Sequence, residues 1–182
     1  MSAGPPMFLL SVTVSAILAS TSVSQSKPAP PKTTAAAAKL PPFDARSPHQ
    51  VITLLESTGA KVNVTGNSDG QFILEAKAND GNFGVQFIDC NAGAEACHAV
   101  ALFTAFEKSA VTLAQINDFN RAQFACRGLL AADGRPSVMY STLLNFRMTR
   151  DEFKLHLGVW HACIKGFEAF NRDPEAFLSK PH

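Results

Sequence analysis

Charged side chains are scarce, 17% of the 182 residues, and no surplus of one sign accumulates where the chain can fold. Residues 1–42 hold Lys27, Lys32 and Lys39 and no acid. With three of the sixteen basic residues there, residues 43–182 carry thirteen basic against fifteen acidic side chains, a net of −2. Such a domain has no electrostatic footprint for phosphate backbones, so nucleic-acid binding is disfavoured. The motifs of common chemistries are missing too. There is no Gly-x-Ser-x-Gly elbow and no Gly-rich phosphate loop, and Ser137 and Ser141 fall in stretches that read as strand. No Cys-x-x-Cys supports a thiol redox enzyme. His156 and His161 are five apart, which rotates them off a common helix face, and His98 adjoins a cysteine that disulfide bonding would occupy. Solvated or hydrogen-bonded histidines are the better account, and neither metal nor cofactor is expected.

What remains is an ordinary globular composition, 46% apolar with 14 phenylalanines. A domain of about 140 residues buries roughly two-thirds of its unfolded surface, enough for a core without metals. Ahead of it, Met7–Ala19 is an apolar run followed by small residues. It is short for a membrane span of about 20 residues and suits the hydrophobic region of a signal peptide, although no Lys or Arg precedes it. Residues 1–24 are therefore expected to be a signal peptide, touching the membrane only transiently, and the product to be exported to a bacterial periplasm. Residues 25–42, rich in Pro, Ala and Lys, have almost nothing to bury and are expected to form a disordered spacer. One domain over 43–182 follows.

Its periodicity alternates between two kinds. Ser47-Pro48 starts a helix with Val51, Leu54 and Leu55 on one stripe, and Gly59 stops it. Val62 and Val64, then Phe72, Leu74 and Ala76, then Phe83, Val85 and Phe87 alternate across turns at Asn67–Gly70 and Asn79–Gly81. A fourth strand runs over His98–Phe106. Thr112–Gln123 has a helical period with Leu113, Ile116 and Phe119 on one side. Phe124–Ala132 and Ser137–Phe146 pair across Asp133-Gly134. Thr149-x-x-Glu152 is a capping box opening a long helix whose core stripe is Phe153, Leu157, Trp160, Ile164 and Phe167. The order α-β-β-β-β-α-β-β-α indicates an α+β fold with an antiparallel sheet. Ala99–Phe106 and Val138–Phe146 are apolar on both faces. Either helices cover both sides of the sheet or the second side meets another subunit, and a homodimer is expected.

The stretch INDFNRAQFACRGLLAADGRPSVM, Ile116–Met139, resembles the helix–hairpin signature of YbjN-type domains. The preceding FGVQFIDCNAGAEACHAVALFTAF is similar to that family's exported members in its Cys-x6-Cys loop between two strands. The likeness spans roughly 47–172. It departs at Phe119, where tryptophan would be expected, and in carrying Cys126 and Cys163. The resemblance implies a fold like that of type III secretion chaperones, a dimerising α/β sandwich that binds protein segments, and a role in sensory-transduction regulation. It implies no catalytic residue.

An even count of four cysteines in an exported chain favours disulfides, with three possible pairings. Cys90 and Cys97 flank a tight loop between adjacent strands, while Cys126, on a strand face with Phe124 and Leu130, and Cys163, one residue from the last helix's core stripe, would clip helix to sheet. The preferred set is 90–97 with 126–163; the alternative leaves Cys126 and Cys163 as buried free thiols. Asn117, Asn120 and Arg121 flank the helix–strand junction. They either bond the turn's backbone or contact a partner, and Asp118 with Arg121 reads as a surface helix pair. Asn63-Val64-Thr65 has the spacing of a glycosylation acceptor, a triplet common by chance. The function expected is that of an exported, non-enzymatic domain binding an unknown protein or peptide, as a regulator or chaperone-like factor of the cell envelope. The alternative is a small-molecule or lipid-binding periplasmic domain using the phenylalanine-rich sheet and the cleft beneath the last helix. An enzyme of unrecognised type comes third.

Overall fold

Two-residue turns and helix caps punctuate this chain, and the computed structural model, which describes residues 42–79 and 81–180, shows what they connect. The expected signal peptide and all but the last residue of the expected spacer lie outside the described residues. Helix α1 (Pro48–Ser57) is followed by strands β1 (Lys61–Ser68), β2 (Gln71–Ala78), β3 (Gly81–Cys90) and β4 (Cys97–Ala105). Then come α2 (Leu113–Ala122), β5 (Arg127–Leu130), β6 (Pro136–Leu143), the long α3 (Arg150–Arg172) and a short α4 (Pro174–Leu178). The predicted order holds, with α4 added after it. The six strands form one antiparallel sheet in the order β1-β2-β3-β4-β6-β5.

Period-2 alternation decides which side chains meet the helices. Phe72, Leu74 and Ala76 of β2, Phe83, Val85 and Phe87 of β3, Val100 and Leu102 of β4, and Val138 and Tyr140 of β6 are all buried. They form one cluster with Val51, Leu54 and Leu55 of α1, Ile116 and Phe119 of α2, and the stripe Phe153, Leu157, Trp160, Ile164, Phe167 of α3. Trp160 meets the Phe83 ring edge-on at 5.9 Å between centroids. Phe119, Phe167, Phe170 and Phe177 interlock, with centroids 4.8 to 5.8 Å apart, and this ties α2, α3 and α4 together. On β5, Gly128 lets the helices come close: a Cβ there would lie 2.9 Å from Phe167 and 3.1 Å from Phe119.

Three local readings change. Ser47 occupies the N-cap of α1 but its hydroxyl makes no cap bond, so Pro48 alone marks the start. Leu113 is 61% exposed, because α2 begins at that residue and only Ile116 and Phe119 reach the core. Phe124 is 98% exposed and precedes β5, which begins at Arg127, so it shares no strand face with Cys126. The capping box of α3 is present in full: the Thr149 hydroxyl accepts from the Glu152 N–H, and the Glu152 carboxylate accepts from the Thr149 N–H at 2.6 Å. Those bonds from Thr149 hold the Glu152 carboxyl below its ordinary value of 4.5.

Two outcomes follow from this packing. Gly128→Ala forces a methyl against Phe167 and Phe119 and should destabilise the fold by about 1–3 kcal/mol in urea denaturation. Because the folded-state Glu152 carboxyl is depressed, its contribution is present above pH 4.5 and is lost as pH falls through the folded value. Thermal melts of the wild type should therefore fall more steeply on acidification below that pH than melts of Glu152→Gln.

Candidate functional site

The helices all lie against one face of the sheet, and the strand registers define the other face row by row. Asn63, Glu75, Gly84, Phe103, Met139 and Arg127 stand side by side across all six strands. The next row is Ile73, Gln86, Ala101 and Ser141, and beyond it stand Ile88, Ala99 and Leu143. None of these belongs to the helix-covered core cluster, although Ala101 is itself only 5% exposed because its neighbours on the same face enclose it. Phe103 is 38% and Leu143 77% exposed, unusual values for large apolar side chains on central strands.

The register between β3 and β4 explains how this face is shaped. Gly84 stands opposite Phe103, and a Cβ there would come within 2.3 Å of the Phe103 ring, so the ring lies across the glycine. Beside the ring is a shallow depression of about 440 Å³, bordered by Thr65, Ile73, Glu75, Lys77 and Asn82. Gln86 donates from Nε2 to Gln71 Oε1 at 2.8 Å, so two neighbouring amides on the face satisfy each other. Across β3, β4 and β6 the outward positions carry no charge. Lys61, Glu75 and Lys77 lie on β1 and β2, and Arg127 on β5. Apolar residues on both sides of β4 and β6 are legible in the sequence, but Gly84 and Phe103 were not among the expected site residues. A glycine inside an alternating strand, facing a phenylalanine, was the available signal.

Elsewhere the polar groups are mostly engaged in structure. Asn120 clamps β5, donating to the Gly128 carbonyl at 3.0 Å and accepting from the Gly128 N–H at 2.7 Å. Arg121 pairs with Asp118 on the surface of α2, and Asn117 is exposed on the same helix. Arg127 donates to the carbonyls of Gln123 and Cys126. The Tyr140 hydroxyl lies 2.5 Å from His156 Nδ1 at the edge of α3, and burial pushes its phenol up from the ordinary value. His98 Nδ1 is 2.6 Å from Asp89 on the surface. Among the described residues no group of three His, Cys, Asp or Glu side chains is placed to hold a metal ion. No described helix is long and apolar enough to cross a membrane. A second hollow, about 390 Å³, opens beneath α3 between Leu55, Ala60, Phe83 and Leu157, with Lys154 and His161 beside it.

The cysteines are joined as Cys90–Cys97 and Cys126–Cys163. The first pair stands directly opposite in the β3–β4 register, closing the loop that includes the buried Ala94. The second links the segment entering β5 to α3, two buried cysteines 37 positions apart, and so fastens the α2–β5 unit under the long helix.

The model of the YbjN family, described as "Putative bacterial sensory transduction regulator", matches residues 47–171. No curated protein and no solved structure is significantly similar to the chain.

If both bridges form in solution, alkylation without reductant should modify no thiol, and alkylation after reduction in denaturant should modify all four. Four reactive thiols without reductant would remove both bridges. Replacing Cys126 and Cys163 together by serine should lower stability by about 4 kcal/mol in urea denaturation, as expected for opening a loop of that length.

Proposed function

Because the chain belongs to the YbjN family, we propose that it is an exported, non-enzymatic regulator that acts by protein–protein contact through the helix-free face of its sheet. The observation that carries this reading is the distribution of side chains on that face: uncharged over β3, β4 and β6, with Ile88, Ala99, Ala101, Phe103, Met139 and Leu143 set among the neutral Asn82, Gln86, Ser137 and Ser141, and charges confined to β1, β2 and β5. That is the anatomy of a protein interface, and a catalytic cleft needs the reverse, convergent acids, bases or donors in a concave site. The most buried shifted group, Tyr140, is bonded to His156 at the edge of α3 and stands apart from any such convergence. Export is supported by the apolar run at Met7–Ala19 and by cysteines paired in two bridges, which persist in oxidising compartments. A chaperone-like variant of the same role, holding a segment of another protein, fits the same surface.

A second reading is favoured by the hollow beneath α3. Its apolar walls, with His161 and the Asp151-paired Lys154 alongside, suit a small amphipathic molecule.

Two measurements separate these readings. Export predicts that the protein fractionates with the periplasm and that deleting residues 1–24 retains it in the cytoplasm. Chemical cross-linking in that fraction should join the wild type to a discrete polypeptide, and Phe103→Glu should reduce the product at least about tenfold, the loss expected when a charge enters an apolar interface core. Recovery of a copurifying lipid or metabolite, with cross-linking unaffected by Phe103→Glu, would favour the hollow instead.

A further inference from the structure

We propose that the corner formed by the β6–α3 turn and the segment entering α1 is a contact for a membrane surface bearing anionic phospholipids. Phe146 dips among the headgroups there, and Arg46, Arg147 and Arg150 meet their phosphates. This surface is distinct from the helix-free face, and the proposal goes beyond the reading of that face.

The turn is built to hold its tip outward. Leu144 and Met148 are buried, 6% and 7% exposed, and fix its two ends in the core. Between them Asn145 closes the backbone, its side chain accepting from the Arg147 N–H at 2.9 Å and its carbonyl from the Met148 N–H at 3.1 Å. What projects is Phe146, 66% exposed, with Arg147 exposed beside it. Turn tips are dominated by small polar residues, Gly and Pro, so an aromatic ring there calls for an apolar environment outside the chain. The Arg147 guanidinium lies 5.4 Å from the centre of that ring, and the Arg46 guanidinium 5.9 Å from it. Arg46 is held by two bonds to the Asp44 carboxylate, at 3.0 and 2.7 Å. A third guanidinium, that of Arg150, stands 5.3 Å over Phe43, whose ring packs edge-on against Phe153 of α3. Such contacts gather arginine heads around apolar rings without neutralising their charge.

Charge points the same way. Residues 43–46 and 143–150 hold three arginines and one acid, Asp44, a local +2 on a domain whose net charge is −2. The acids that follow in α3 are engaged, Asp151 by Lys154 and Glu152 by Thr149. Asp69 and Glu95 stand on the neighbouring β1–β2 and β3–β4 turns, which confines the attraction to this corner and leaves it open to reversal by salt. The described residues begin at Pro42, beside Phe43, so the segment 25–42 joins the domain here, bringing Lys27, Lys32 and Lys39 and no acid. The basic excess of the sequence is thus attached at the corner that bears the arginines. Basic side chains interleaved with an exposed aromatic, continued by a basic segment, are what an anionic lipid surface selects. A small soluble anion needs donors converging in a concavity. The hollow beside Arg147, about 280 Å³, is lined instead by the Glu152 carboxylate with Asn145, Met148 and His156.

Co-sedimentation of the exported protein with vesicles tests this. The protein should pellet with phosphatidylcholine vesicles that contain phosphatidylglycerol and not with phosphatidylcholine alone, and rising salt should release it. Arg147→Glu combined with Arg150→Glu should lower the bound-to-free ratio at least about tenfold, and so should replacement of Lys27, Lys32 and Lys39 together by glutamine. Arg135→Gln, in the hairpin at the opposite end of β6, should leave the ratio unchanged. Circular dichroism shows whether each variant is folded. Independently, the emission of Phe146→Trp should move to the blue on addition of the anionic vesicles, while the buried Trp160 contributes a constant background. Absence of binding to anionic vesicles overturns the proposal. So does binding that survives Arg147→Glu with Arg150→Glu in a folded protein, or a Phe146→Trp emission that the vesicles leave unshifted. Displacement from the vesicles by inorganic phosphate at constant ionic strength would assign the arginines to a soluble anion and likewise overturn it. None of these outcomes bears on the cross-linking that tests the helix-free face.

Discussion

One face of a six-stranded sheet buried under the long helix α3, with α1 and α2 beside it, is the interaction on which everything else in this protein depends. Helix α3 supplies Phe153, Leu157, Trp160, Ile164 and Phe167 to that contact, all at a 4-3-4-3 spacing. Each large side chain taken out of water contributes about 1.5–3 kcal/mol. The capping box at Thr149 fixes where the helix begins, and Phe167 and Phe170 then hold α2 and α4 in place. A one-sided arrangement of this kind is complete as a core yet incomplete as a surface. Strand β4, whose Val100 and Leu102 are buried under the helices, carries Ala99, Ala101, Phe103 and Ala105 on the other face.

Much of this was legible in the sequence because its strongest signals are local. Capping boxes, glycine-containing turns and period-2 alternation act over a few residues, and those elements lie where the periodicity placed them. Misreadings arose where tertiary packing decided the outcome. Leu113 has the spacing of a core residue, but the helix turns it outward at its first position. Phe124 has the composition of a strand residue, but the chain is still turning there. Alternation likewise shows that both faces of β4 and β6 are apolar without showing which face the helices cover. That depends on the handedness of the connections and on where α3 returns over the sheet. The pairing of Phe103 with Gly84 requires the register between β3 and β4, which no single strand carries.

Among the described residues the polar side chains serve mainly the fold. The described ion pairs are exposed or half-buried, His49, His98, His156 and His161 are engaged with Tyr140, Asp89 or aromatic rings, and the buried described side chains are apolar. Asn120 illustrates the economy: an amide that could have greeted a partner instead satisfies both backbone groups of Gly128, which keeps the short edge strand β5 in register next to the aromatic cluster.

The two bridges join cysteines that are consecutive along the chain, first with second and third with fourth. A polypeptide oxidised in the order in which it emerges, amino end first, closes each bridge with the next thiol to appear. For the exported form proposed above, sequential oxidation of this kind would give the native connectivity without passing through crossed pairs.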